Sequence, residues 1–179
     1  MGRTLLLTGH PGVGKTTVVK QVAAALGQKA GGFYTEEIQG PGGRKGFRLV
    51  TLDGRTTIIA HVDIRSRHRV GRYSVDVSAL DAVGVAAVRA AIEASEVAAV
   101  MVDEIGKMEL FSSEFRGVVI KATSSRKVVV ATIMQKEHTW ASALKAMPQV
   151  TLWEITKSNR NEMPGRVIEW VTDAWAGAH

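Results

Sequence analysis

The chain has 179 residues, 45% of them hydrophobic and 22% charged, which is enough for one compact core and short for two. It contains no cysteine, which excludes disulfides, thiol catalysis and cysteine-held metal and is compatible with a reducing compartment, and no apolar run approaches the length of a membrane span. Its net charge of +6 is confined to one place: Arg44, Lys45, Arg48, Arg55, Arg65, Arg67, Arg69 and Arg72 face only Asp53 and Asp63, and the rest of the chain is formally neutral. The expectation is a single domain over 1–179, located in the cytoplasm, with no membrane partner, acting as a monomer.

In chain order, Thr4-Leu5-Leu6-Leu7-Thr8 has the length and apolarity of a buried strand. Gly9-His10-Pro11-Gly12-Val13-Gly14-Lys15-Thr16 follows and fits G-x-x-x-x-G-K-[ST]. Val18, Val19, Val22, Ala23 and Leu26 then recur at helical spacing up to Gly27, a helix stop. The motif therefore lies between a strand and a helix, the context of a phosphate-binding loop. Backbone N–H groups of such a turn form a concave donor nest, and the helix dipole points its positive end into it. Gly9, Gly12 and Gly14 admit close approach of the backbone, and His10, Pro11, Val13 and Thr17 complete the nucleotide-binding stretch. Lys15 supplies a compact charge for the outer phosphates, and the Thr16 hydroxyl is the expected ligand of a magnesium ion shared with the nucleotide.

Residues 32–38 read as a strand and 40–46 as a mobile glycine-rich turn. Phe47 to Leu52, Thr56 to Val62 and Tyr73 to Val77 cluster β-favouring residues around Asp53-Gly54. Together they predict a small antiparallel β insertion over about 32–78, which carries the basic block. Ala79 to Ser95 predicts a helix returning the chain to the main sheet. Strands at Val97–Val102, Val128–Ile133 and Val150–Ile155 then alternate with helices near 112–123, 137–147 and 164–175. Continuous apolar strands alternating with helices indicate an α/β fold, a mostly parallel central sheet covered by helices. Its ligand belongs beyond the carboxyl ends of the strands.

Val97 to Val102 runs into Asp103-Glu104. A carboxylate at that strand end lies beside the magnesium shell, so Asp103 is the metal partner and Glu104 the catalytic base or water-orienting group. Asp103-Glu104-Ile105-Gly106 also spells D-x-x-G, but no Asn-Lys-x-Asp accompanies it, which argues against a guanine-specific switch. Glu109 reads either as a hydrogen-bonding acid near the site or as a surface acid at a helix start. Asn159-Arg160, after the last strand, reads either as the edge of a nucleobase pocket, with Arg160 stacking on the base, or as a helix cap. His10 occupies a permissive loop position and is not read as a proton carrier.

The phosphate loop, Gly32-Phe33-Tyr34-Thr35-Glu36-Glu37, Arg69-Val70-Gly71-Arg72-Tyr73-Ser74-Val75-Asp76, Asp103-Glu104-Ile105-Gly106-Lys107-Met108-Glu109-Leu110 and Asn159-Arg160 together resemble a known family. It is that of the small nucleoside triphosphatases first described from thermophiles, whose human relative is called cancer-related nucleoside triphosphatase. The resemblance covers nearly the whole chain. It implies a RecA-like P-loop NTPase fold, magnesium dependence and slow hydrolysis of several nucleoside triphosphates to diphosphate and phosphate. Ala131-Thr132-Ile133-Met134-Gln135-Lys136 departs from the family pattern, so no phosphate-sensing role is carried over to Thr132 or Gln135. Two rival readings remain, a P-loop kinase with a small acceptor and a nucleotide-switched nucleic-acid-binding module, the second not favoured. The basic segment is expected to close as a lid, with Arg69, or in second place Arg72, as an arginine finger.

Overall fold

The computed structural model describes residues 2–177; Met1, Ala178 and His179, included in the expected 1–179 domain, lie outside the described residues. One nine-stranded sheet runs in the order β5-β6-β4-β3-β2-β7-β8-β1-β9. Its parallel part consists of β1 (Thr4–Thr8), β7 (Ala99–Ile105), β8 (Val128–Ile133), β9 (Val150–Glu154) and the first residues of β2 (Ala30–Gly40). The antiparallel part consists of β3 (Gly43–Thr51), β4 (Thr56–His61), β5 (Arg69–Val70) and β6 (Tyr73–Val75).

Two findings add to the expected layout. The antiparallel strands of the insertion continue the main sheet, because β2 pairs with β7 over Ala30–Phe33 and with β3 from Phe33 onward, so a single strand joins both parts of one sheet. The glycine-rich segment is also tighter than expected: Gly42 and Gly43 take positive φ angles of 77° and 106°, and β3 begins at Gly43 itself. Glycine reaches that region without a side-chain penalty, so the chain reverses directly from β2 into β3.

β1, β7 and β8, inside the parallel part, are buried on both faces, and alternation assigns their side chains. On one face Leu5, Leu7, Met101 and Val130 pack against Val18, Val19 and Val22 of α1 (Lys15–Leu26) and Val167, Trp170 and Val171 of α6 (Met163–Ala176). On the other, Leu6, Val100, Val102 and Val129 meet Val88 of α3 (Ala86–Glu93), Phe115, Val118 and Val119 of α4 (Ser113–Ser124) and Leu144 of α5 (Thr139–Lys145). The predicted helix at 79–95 is composite: α2 (Val77–Ala79) leads through a π-helical stretch, Leu80–Val85, into α3. Among the described residues no helix is long and apolar enough to cross a membrane.

Candidate active site

The loop between β1 and α1 carries positive φ angles at Gly9 (149°), Gly12 (77°) and Gly14 (116°). Gly14 occupies the N-cap of α1, and no side chain caps its first turn, which leaves the helix N–H groups turned toward the loop without a side-chain acceptor. Lys15, buried at 9% exposure, donates from Nζ to the carbonyls of Gly9 (2.8 Å) and His10 (3.3 Å), so its ammonium is folded over the concave side of the loop. His10 and Pro11 are exposed at the crest of the loop, whereas Val13 is buried in the core and contributes backbone alone.

Asp103 is 1% exposed and accepts four donors' worth of attention from three threonines. Thr16 donates from Oγ1 to Oδ2 at 2.9 Å, the Thr35 N–H reaches the same oxygen at 3.2 Å with its hydroxyl at 3.5 Å, and Thr132 donates from Oγ1 to Oδ1 at 2.6 Å. Burial raises the Asp103 carboxyl above its ordinary range, and the Thr132, Thr16 and Thr35 donors and the charge of Lys15 oppose that. The Thr16 hydroxyl and the Asp103 carboxylate are hard oxygen donors side by side, the donor chemistry that suits magnesium. Among the described residues no group of three or more His, Asp or Glu side chains is placed to hold a metal, so an ion here would share its shell with nucleotide phosphates and water.

Thr132 and Thr35 both meet Asp103, a contact that sequence reasoning gave to neither of them. The signal for Thr132 was a lone polar residue at the end of an apolar strand; β8 lies beside β7, so it meets Asp103. Thr35 reaches Asp103 because β2 borders β7 on the other side.

Glu104 follows at the end of β7, where the register against β8 shifts between Val102 and Ile105. It is largely enclosed, and burial, then the neighbouring Asp103 charge, raise its carboxyl above the usual range. Glu109 is 5% exposed, which rules out the surface-acid reading. Its Oε2 accepts the Gly106 N–H at 3.2 Å, and burial followed by the charge of Glu104 pushes its carboxyl up to about 8.

A cavity of about 280 Å³ opens beside the loop, lined by Gly14, Thr17, Val18, Gln21, Arg160 and Asn161. Arg160 crosses from the segment after β9 and donates to the Val13 carbonyl at 3.3 Å. Asn159 is occupied in the turn itself, accepting from the Thr156 N–H (2.8 Å) and donating to the Glu154 carbonyl (2.9 Å). Gln21 was missed, although it stands one helical turn beyond Thr17 on the same face of α1. Arg69 lines a different cavity of about 360 Å³ with Gly71, Lys107, Leu110, Phe111 and His138. Among the described residues its side chain has no hydrogen bond or ion pair, whereas Arg72 donates to the Arg44 carbonyl and lies 5.4 Å from the Tyr73 ring centroid.

The chain has relatives that match it over 90–92% of its length. It is 44% identical over 164 residues, 92% of this chain and 90% of the relative, to the nucleoside-triphosphatase THEP1 of Thermotoga petrophila, and 41% identical over 169 residues to that of Thermofilum pendens, covering 90% and 91%. The crystal structure of THEP1 from Aquifex aeolicus superposes with a TM-score of 0.85 at 34% identity, over 94% of this chain and 98% of that one. The solution structure of a human cancer-related nucleoside triphosphatase gives 0.81 at 31% identity, over 96% and 98%. A family model described as NTPase matches residues 4–168, a span that takes in the phosphate loop, Asp103, Glu104 and Arg160 alike. On likeness of sequence and of fold, the chain belongs to the NTPase family.

Proposed function

We propose that this protein is a magnesium-dependent nucleoside triphosphate phosphohydrolase that converts triphosphate to diphosphate and phosphate with broad tolerance of the base. The carrying observation is the 2.9 Å contact between Thr16, the last residue of the phosphate-loop motif, and Asp103, 87 residues away at the end of a neighbouring strand. The loop N–H groups and Lys15 are placed to hold the β- and γ-phosphates, and Thr16 and Asp103 would hold the magnesium ion. When bound, the ion would offset the negative charge that develops on the phosphate oxygens.

Glu104 orients a water molecule and takes its proton as the water oxygen bonds to the γ-phosphorus. The bond from that phosphorus to the β,γ-bridging oxygen breaks, and the diphosphate leaves with the electron pair. Burial of Glu104 strengthens it as a base. Arg69 serves as an arginine finger carried by the insertion.

The test is phosphate release from each nucleoside triphosphate, with and without magnesium and with nucleosides or monophosphates supplied as acceptors. Release into water without acceptor supports hydrolysis, and release only with acceptor would identify a kinase. Glu104→Gln is expected to keep nucleotide binding while turnover falls roughly a hundredfold or more. Equal loss of both would contradict the role given to Glu104.

A further inference from the structure

Glu109 lies beyond the roles assigned so far, and its surroundings are unusual for a carboxyl group. It sits in the turn Glu109–Phe111 between β7 and α4, with Leu110 beside it in the core. Its carboxyl turns back three residues to the Gly106 N–H, and the Leu110 N–H closes the same turn onto the Gly106 carbonyl at 3.0 Å. Gly106 has a specific reason to be glycine. A methyl group there would stand 2.8 Å from Oε1 of Glu104 and 3.1 Å from Oε2 of Glu109, so the two carboxyl groups flank the same bare α-carbon.

Among the described residues no cation pairs with Glu109. From β7 it is faced by Glu104 and, further off, Asp103, both acidic. From α4, Arg116 directs its guanidinium to the Leu110 carbonyl at 2.7 Å. Lys107, in the same loop, is exposed and with Arg69 and His138 lines the cavity beside Leu110, and Lys15 acts on Asp103 and Glu104. The two carboxyl groups flank one α-carbon, and burial together with the charge of Glu104 makes Glu109 the one that holds its proton at neutral pH.

We propose that Glu109 is a positioning residue for hydrolysis, which anchors the Gly106 amide and leaves Glu104 as the single ionised carboxylate on its side of Gly106. The inference rests on the hydrolase reading of Glu104. The Gly106 amide holds Glu109 in place in either protonation state, and with Glu109 protonated Glu104 remains free to take the proton from water. Once Glu109 ionises, a second negative charge faces Glu104 across Gly106, and the carboxylate that must orient water is pushed from its place.

A simpler role competes. A glutamate three residues into a helical turn often reaches back to the first N–H merely to cap it. Capping alone is indifferent to the proton, and Glu109→Gln separates the two, since it keeps the acceptor oxygen and the shape but cannot ionise.

The experiment is steady-state phosphate release from ATP against pH for the native chain, Glu109→Gln and Glu109→Ala, with folding of each checked by thermal melting. The native turnover is expected to fall above about pH 8. Glu109→Gln should stay within about threefold of native turnover at pH 7 and lose the alkaline fall, while Glu109→Ala should lower turnover by about tenfold or more, as outer-shell partners do, with KM little changed. An unchanged alkaline fall in Glu109→Gln, or full turnover in Glu109→Ala, overturns the proposal. Should the native chain release no phosphate, the hydrolase reading fails on its own. Carbon-13 NMR titration of the glutamate carboxyls then judges the charge arrangement: a resonance titrating near 8 and lost in Glu109→Gln supports it, and its absence overturns it.

Discussion

Thr132 shows how much of the site depends on one hydroxyl. It is fully buried, and its 2.6 Å hydrogen bond serves the oxygen of Asp103 that Thr16 and Thr35 do not reach. Thr132→Val keeps the shape and removes the donor, so a buried carboxylate oxygen is left unsatisfied at a cost of about 1–3 kcal/mol. The expected outcome is a loss of stability of that order in urea denaturation, together with a higher magnesium concentration for half-maximal phosphate release. Unchanged magnesium response would show that Asp103 does not depend on this donor. Glu109 bears on stability with the opposite sign from an ordinary paired acid. Its carboxyl, raised from 4.5 to about 8, holds a proton in the folded chain that the unfolded chain has released, so its contribution to stability falls as pH rises through that window and levels off above it.

The elements that carry the basic residues explain why their charge is less available than composition suggests. Arg44 pairs with Glu37 at 2.6 Å and donates to the Tyr73 hydroxyl at 2.9 Å, Arg48 pairs with Glu36 at 2.7 Å, and Arg55 with Asp53 at 3.3 Å. Glu36 also meets Lys20 of α1 at 2.9 Å, so it ties the insertion to the helix that follows the phosphate loop. Such exposed pairs each contribute little, but they direct charge away from a nucleic-acid surface and leave Arg69 among the unpaired cations. Arg69→Ala is therefore expected to lower turnover on the order of a thousandfold with nucleotide affinity nearly kept, and Arg69→Lys to rescue little, because a point charge lacks the planar fork. Full activity in Arg69→Ala would remove the finger from the mechanism, and loss of salt-sensitive oligonucleotide binding instead would favour the nucleic-acid reading. At this scale sequence periodicity was a good guide where an element is long and apolar: β8 runs over Val128–Ile133 as expected. It was blind to the π-helical stretch at Leu80–Val85, where spacing of apolar residues resembles that of an ordinary helix.

Across the whole molecule, what was legible was what is local. The phosphate loop and the Asp103-Glu104 strand end announce themselves within a few residues. Thr35, Thr132, Gln21 and the burial of Glu109 depend on which strand borders which, and local spacing does not encode that. The cavity beside the phosphate loop, which we propose as the base pocket, belongs to this second class. It joins α1 to the segment after β9, and its polar side chains are Thr17, Gln21, Arg160 and Asn161, donors and acceptors rather than a fixed edge for one base. ATP and GTP are expected to be hydrolysed with kcat/KM values within about tenfold, a difference of about 1.4 kcal/mol. A stronger preference, mapped by Gln21→Ala and Asn161→Ala, would reveal a reader among these residues.

The strand order has one more consequence. A nine-stranded open sheet has two edges, and the one far from the phosphate loop ends in β5, a strand of only two residues, with Arg65, Arg67, Arg69 and Arg72 in or close to it. A short, strongly cationic border offers a second chain few free N–H and C=O groups to pair with and repels it by like charge. Arg69, with its proposed catalytic use, and its arginine neighbours therefore also guard the sheet against edge-to-edge aggregation.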